Sequence, residues 1–139
     1  MTSRMTEISI DCADPDRLAA FWCAVLGYDV IDSEDGLVEI GPPARPDAEL
    51  LDAVRRGPVA PTIFLCRVPE AKTVKNRLHF DVSPVDCTQA EEVARIEALG
   101  ATHAEVGQTG EESWVVLADP EGNEFCVLRS LAPGEFALA

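Results

Sequence analysis

The sequence predicts an α+β fold of two βαβββ modules arranged around a central cavity, and three observations lead there. Apolar residues recur at period two in some stretches and at helical spacing in others. The order strand, helix, strand, strand, strand occurs twice, at an offset of about 70 residues. Each of the two module helices carries one apolar stripe, which needs a sheet face to cover it.

The first module is read over about 6–68. EISIDC (7–12) alternates, placing Ile8, Ile10 and Cys12 on one face and Glu7, Ser9 and Asp11 on the other. Asp14 then supplies an N-cap and Pro15 a first helical residue, and Leu18, Phe21, Trp22, Val25 and Leu26 form the stripe of a helix ended by Gly27. YDVIDS and LVEIG flank Glu34, Asp35 and Gly36, and an Asp-Gly pair suits a tight hairpin. The stretch 41–61, which holds five of the ten prolines, reads as a long excursion with a short helical core. TIFLCRV (62–68) is the next strand, and 69–76 connects the halves.

The second module is read over about 77–130. RLHFDV (77–82) alternates again, with Leu78, Phe80 and Val82 facing a helix and Arg77, His79 and Asp81 turned away from it. Thr88 with Glu91 three residues on is a capping box, and this second helix ends at Leu99-Gly100. Strands follow at about 102–106, at 113–118 and at 124–129, the last two joined by the turn Asp119 to Asn123.

With 139 residues and 47% hydrophobic content, the chain is expected to form a single domain, 1–139, with a real core. Its 25 acidic against 11 basic residues give a net charge of −14, which disfavours nucleic acid and anionic membranes as partners. No apolar run has the roughly 18 residues of a membrane span, and MTSRMTEIS lacks the apolar stretch of a secretory signal, so a cytoplasmic address is expected. Cysteines 12, 23, 66, 87 and 126 are scattered without a CxxC pair and fit reduced thiols better than a disulfide or zinc framework.

If the faces turned away from the helices converge, they gather Glu7, Asp11, Arg77, His79 and Asp81, joined by Glu124 and Cys126. His79, between Arg77 and Asp81, is the best candidate general acid or base, because an imidazole changes charge near neutral pH. It is equally readable as a histidine bonded to Asp81 for structure. Asp81 and Glu7 are candidates to orient it. Arg77, Asp11, Trp114, Glu124 and Cys126 are candidates for substrate contact, Trp114 as cavity wall or core and Cys126 as a small neutral lining residue. Trp22 belongs to the core, and His103 is read as a surface residue away from any acidic or metal-like cluster.

Three stretches, ISIDCADPDRLAAFWCAVLGY (8–28), PTIFLCRVPEAKTVKNRLHFDV (61–82) and WVVLADPEGNEFCVLR (114–129), together resemble the glyoxalase-like branch of the glyoxalase/bleomycin-resistance/dioxygenase, or vicinal-oxygen-chelate, superfamily. The resemblance implies paired βαβββ modules, a homodimer, and a divalent metal held by His, Gln or Glu from the first and last strands of each half. The matched positions here are Glu7, Arg77 and Cys126. A permanent cation and a soft thiol break that pattern, so no tightly bound metal is expected. The alternative is a rearranged zinc- or manganese-like site of Glu7, His79 and Glu124.

Two functions follow as expectations. One is a metal-independent isomerase or lyase using His79, Asp81 and Glu7 on a small molecule such as an enolisable carbonyl compound. The other is sequestration of a ligand without turnover, as the resemblance to bleomycin-resistance proteins implies, with the acidic chain suiting a cationic ligand.

Overall fold

The computed structural model describes residues 2–135, and its chain divides into two compact units, the first ending at Ala71 and the second beginning at Lys72. Each unit is a helix against a four-stranded mixed sheet, the architecture of two vicinal-oxygen-chelate-type modules. No described helix is long and apolar enough to cross a membrane.

The first unit contains β1 (Glu7–Cys12), α1 (Pro15–Leu26), β2 (Asp29–Glu34), β3 (Leu37–Gly41), α2 (Asp47–Arg56) and β4 (Thr62–Arg67). Its sheet order is β1-β4-β3-β2, with β1 parallel to β4 and the other pairs antiparallel. The Asp14 carboxylate accepts from the Arg17 N–H at 3.1 Å at the start of α1. Gly27 ends the helix in the left-handed conformation, φ 67°, which a residue with a Cβ adopts at a cost. The stripe buries Leu18, Phe21 and Trp22, the two rings meeting edge to face at 5.2 Å, against Val38, Ile40, Ile63 and Leu65. Period-two alternation on β1 and β4 turns Ile10, Cys12, Ile63 and Leu65 toward that core and leaves Glu7, Ser9 and Asp11 exposed. The excursion 41–61 holds the expected short helix, α2, which buries no residue.

The second unit contains β5 (Asp81–Val82), α3 (Gln89–Ala98), β6 (Thr102–His103), β7 (Val115–Ala118) and β8 (Glu124–Val127). Its order, β5-β8-β7-β6, with β5 parallel to β8 and the rest antiparallel, repeats that of the first sheet. The capping box forms as the sequence implies: Thr88 Oγ1 accepts from the Glu91 N–H, and the Glu91 carboxylate accepts from the Thr88 N–H at 2.9 Å. Ile96, Leu117, Phe125 and Val127 are fully or nearly fully buried in the core of this unit. Asp119 holds the turn before β8 by accepting from the N–H groups of Glu121 and Asn123.

Three strand expectations need correction. The strand expected over 77–82 is reduced to Asp81–Val82, and Leu78, expected on the helix-facing side, is 90% exposed. The cause lies on β8. The Glu124 carboxylate takes the Lys72 ammonium and the Asn76 N–H, while Asn76 Nδ2 donates to Asn123, so the approach to β5 is tied down by side chains. Backbone pairing with β8 starts at the Phe80 carbonyl. The strand expected over 102–106 shrinks to Thr102–His103, because Gln108 binds both the Val106 N–H and the Ala104 carbonyl in place of a longer ladder. The strand expected over 113–118 begins at Val115, so Trp114 sits just before it.

Candidate functional site

The parallel pairing of β5 with β8 sets Asp81 beside Cys126, and the antiparallel pairing of β7 with β8 sets Val116 on the other side of Cys126. Alternation then puts Glu124 and Leu128 on the same face as Cys126, with Phe125 and Val127 packed into the core. This face floors a cleft of about 300 Å³. Trp114, Val106, Val116 and Leu128 give it apolar walls, and Lys75, His79, Asp81, Glu124 and Cys126 give it polar groups. The corresponding face of the first unit offers a recess of about 10 Å³ near Phe64, too small for an organic ligand.

His79 Nδ1 lies 3.0 Å from Asp81 Oδ1. A carboxylate can only accept, so the pairing assigns the ring proton to Nδ1 and turns a lone pair out at Nε2. The Cys126 thiol stands beside this pair, the three ligand atoms lying within 4.8 Å of one another. Burial first, and then the neighbouring Asp81 charge, push that thiol up to about 11, so it is a neutral lining group at physiological pH. Glu124 behaves oppositely. Burial acts against its charge, yet the Asn76 N–H at 3.0 Å and the Lys72 ammonium at 2.9 Å together hold it down at about 2.

Five residues expected at the site, His79, Asp81, Trp114, Glu124 and Cys126, thus line one cleft. Glu7 and Asp11 stand exposed on β1 of the first unit, in register with Thr62 and Cys66, and the cleft is built without them. Arg77 is exposed and does not line the cleft. His103 is exposed, as read, and its Nε2 is 3.2 Å from Glu97 Oε1. Lys75 and the walls Val106, Val116 and Leu128 were not anticipated. For Val116 and Leu128 a signal existed, because they continue the β7 and β8 alternation that carries Trp114 and Cys126.

The residues present do not fit the oxygen-rich divalent site of the superfamily. The close donor set among the described residues is His79, Asp81 and Cys126, whose ligand atoms lie within 4.8 Å of one another, in place of Glu7, His79 and Glu124. It offers one imidazole, one carboxylate and one thiol. His79 and Asp81 are already joined by a hydrogen bond, and the thiol keeps its proton. Glu124 is committed to Lys72 and Asn76.

A family model described as a glyoxalase-like domain matches residues 7–128. No curated protein matches the chain. Among solved structures, the chain is similar to a glyoxalase/bleomycin resistance protein/dioxygenase family enzyme from Burkholderia phytofirmans PsJN, with 20% identity, 90% of this chain and 97% of that one covered, and a TM-score of 0.60. It is similar to a mutant of the fosfomycin resistance protein FosX from Listeria monocytogenes, complexed with Mn(II) and 1S,2S-dihydroxypropylphosphonic acid, with 15% identity, 94% and 92% covered, and a TM-score of 0.62. It is also similar to the bleomycin resistance determinant encoded on the transposon Tn5, with 14% identity, 90% and 96% covered, and a TM-score of 0.52. At these identities the likeness shows the fold.

Proposed function

The chain belongs to the glyoxalase-like domain family, and from that premise we propose that its second unit binds a small organic molecule and moves a proton on it, with His79 as the acid and base. The observation that supports this reading is the His79 and Asp81 pair at 3.0 Å on the edge of an apolar cleft. An imidazole positioned by a carboxylate, within reach of a bound molecule, is an arrangement that general acid and base catalysis uses. In the step envisaged, Nε2 takes a proton from the carbon beside a carbonyl. The C–H electron pair moves into the new C=C bond, and the carbonyl π pair onto oxygen as an enolate. Return of a solvent-exchanged proton to the same carbon re-forms the carbonyl and gives exchange. Where that carbon carries a hydroxyl the intermediate is an enediolate, and passing the hydroxyl proton to the former carbonyl oxygen, with return of the carbon proton to the other carbon, gives isomerisation. Asp81 stabilises the imidazolium that forms in between. Cys126, a neutral thiol, serves as wall and not as nucleophile.

The experiment is proton exchange in D2O, followed by NMR, over a panel of enolisable ketones and 2-oxo acids. The wild-type protein is expected to speed deuterium uptake above the buffer rate, and His79→Ala to remove at least about a hundredfold of that acceleration. Saturable binding with no exchange on any compound would sink the catalytic reading and favour sequestration.

Self-association belongs to the same proposal. Each sheet ends in two edge strands, β1 and β2 in one and β5 and β6 in the other, and pairing with a second copy is a common way to cover such edges. Light scattering is expected to return twice the 15.0 kDa chain mass, and a monomer at micromolar concentration would refute it.

A further inference from the structure

Every carboxylate lining the cleft is answered by a donor of its own. Glu124 is held by Lys72 at 2.9 Å and the Asn76 N–H at 3.0 Å, and Asp81 by His79 at 3.0 Å. Lys75 is different. It is the one lysine or arginine among the described residues that lines the cleft, it forms no ion pair among them, and its ammonium reaches only the neighbouring Asn76 carbonyl, at 3.3 Å. What the cleft leaves over is therefore one uncommitted ammonium and the Nε2 of His79, on a chain whose net charge is −14. At about 0.1 M salt, exposed charges more than about 10 Å away are largely screened, so the chain's net charge of −14 weighs little on what binds at Lys75 itself.

We infer that the cleft takes a planar apolar anion, an arene-bearing 2-oxo carboxylate, with its carboxylate on Lys75 and its ring against Trp114, and that Lys75 is the residue that determines this specificity. The wall chemistry suits such a body. Trp114 is 45% exposed, offering a flat face, and Val116 and Leu128 continue the apolar surface beside it. The volume of about 300 Å³ is at the small end for ligand pockets, which suits a single ring with a short side chain. This reverses the expectation of a cationic ligand drawn from net charge. The inference rests on the reading of this cleft as the functional site, and it deepens that reading by naming what binds there.

The test uses three probes of similar size on the full chain, measured by titration calorimetry: phenylpyruvate as anion, phenylacetone as its neutral counterpart, and phenethylammonium as cation. Phenylpyruvate is expected to bind most tightly. Lys75→Gln is expected to weaken it about tenfold, the loss of one charge-assisted hydrogen bond, and to change phenylacetone by less than about twofold. Lys75→Arg is expected to retain most of the affinity, and raised salt to reduce it. Lys75 is exposed, so unchanged melting curves certify the variants' fold. Equal phenylpyruvate affinity in Lys75→Gln, phenethylammonium binding as tightly as phenylpyruvate, or binding of none of the three would overturn the inference. Deuterium uptake at C3 separates it from the proton-transfer proposal. Lys75-dependent binding without exchange upholds the anion site and sinks proton transfer, whereas exchange on phenylacetone with no preference for the anion does the reverse.

Discussion

Asp81 pairs with an imidazole, and Glu124 accepts from an ammonium and a backbone N–H, so the two carboxylates of the cleft are spent in different ways. Glu124 ties down the chain. Its folded value of about 2 lies below its ordinary 4.5, so the stability it adds is fully present above about 4.5 and is lost as pH falls toward 2. Glu124→Gln is thus expected to lower Tm at pH 7, with the gap to wild type closing toward pH 2. A gap independent of pH would mean that packing, not charge, is lost. Cys126 carries the opposite shift, from 9.0 to about 11. At pH 8 its thiolate fraction is about a hundredfold below that of an ordinary thiol, and alkylation by iodoacetamide, read by peptide mass spectrometry, should be slower by at least that factor than in the denatured chain. Rapid labelling of Cys126 in the folded protein would contradict the arrangement described.

At the scale of elements, α1 and α3 were legible because their signals are local. Asp14 with Pro15, Thr88 with Glu91, and a stripe at helical spacing are all contained within a few residues of the element they specify. Thr88→Ala is expected to cost about 1 kcal/mol by denaturant unfolding, the usual worth of an N-cap. The edge strand β5 was not legible in its length. Its alternation from Arg77 onward is real in the sequence, but the side chain of Glu124, more than forty residues away, holds the preceding segment in another course. A period-two pattern cannot reveal such a tether. The two readings of Leu78 give opposite results on substitution. Exposed as it is, Leu78→Ser should change stability by less than about 0.5 kcal/mol, whereas Leu117→Ala, in the β7 core, should cost roughly 2–5 kcal/mol. Comparable losses at both positions would restore Leu78 to the core.

At the scale of the whole chain, duplication was the most readable feature, since the same element order returns with the same sheet order in both units. The candidate site was readable in part. His79, Asp81, Trp114, Glu124 and Cys126 come together because strand alternation and register place them there, while Lys75 lies in an irregular connection that no periodicity marks. Metal chemistry is a whole-molecule prediction as well. Protein purified at pH 7 and dialysed briefly against chelator is expected to carry well under one equivalent of any single metal by elemental analysis. Any affinity for added zinc should rise with pH, since ligation by Cys126 must release its proton. A full equivalent that survives chelation would contradict the reading of His79 and Asp81 as a hydrogen-bonded pair beside a protonated thiol.

The central claim is that ligand chemistry resides in the cleft of the second unit, and amide chemical-shift mapping tests it most directly. Titration of the nitrogen-15-labelled protein with phenylpyruvate is expected to move the signals of Lys75, His79, Asp81, Trp114, Val116 and Cys126, together with the Trp114 indole N–H, and to leave α2 unchanged. Shifts concentrated on the first unit, or a spectrum unmoved at millimolar ligand, would contradict it.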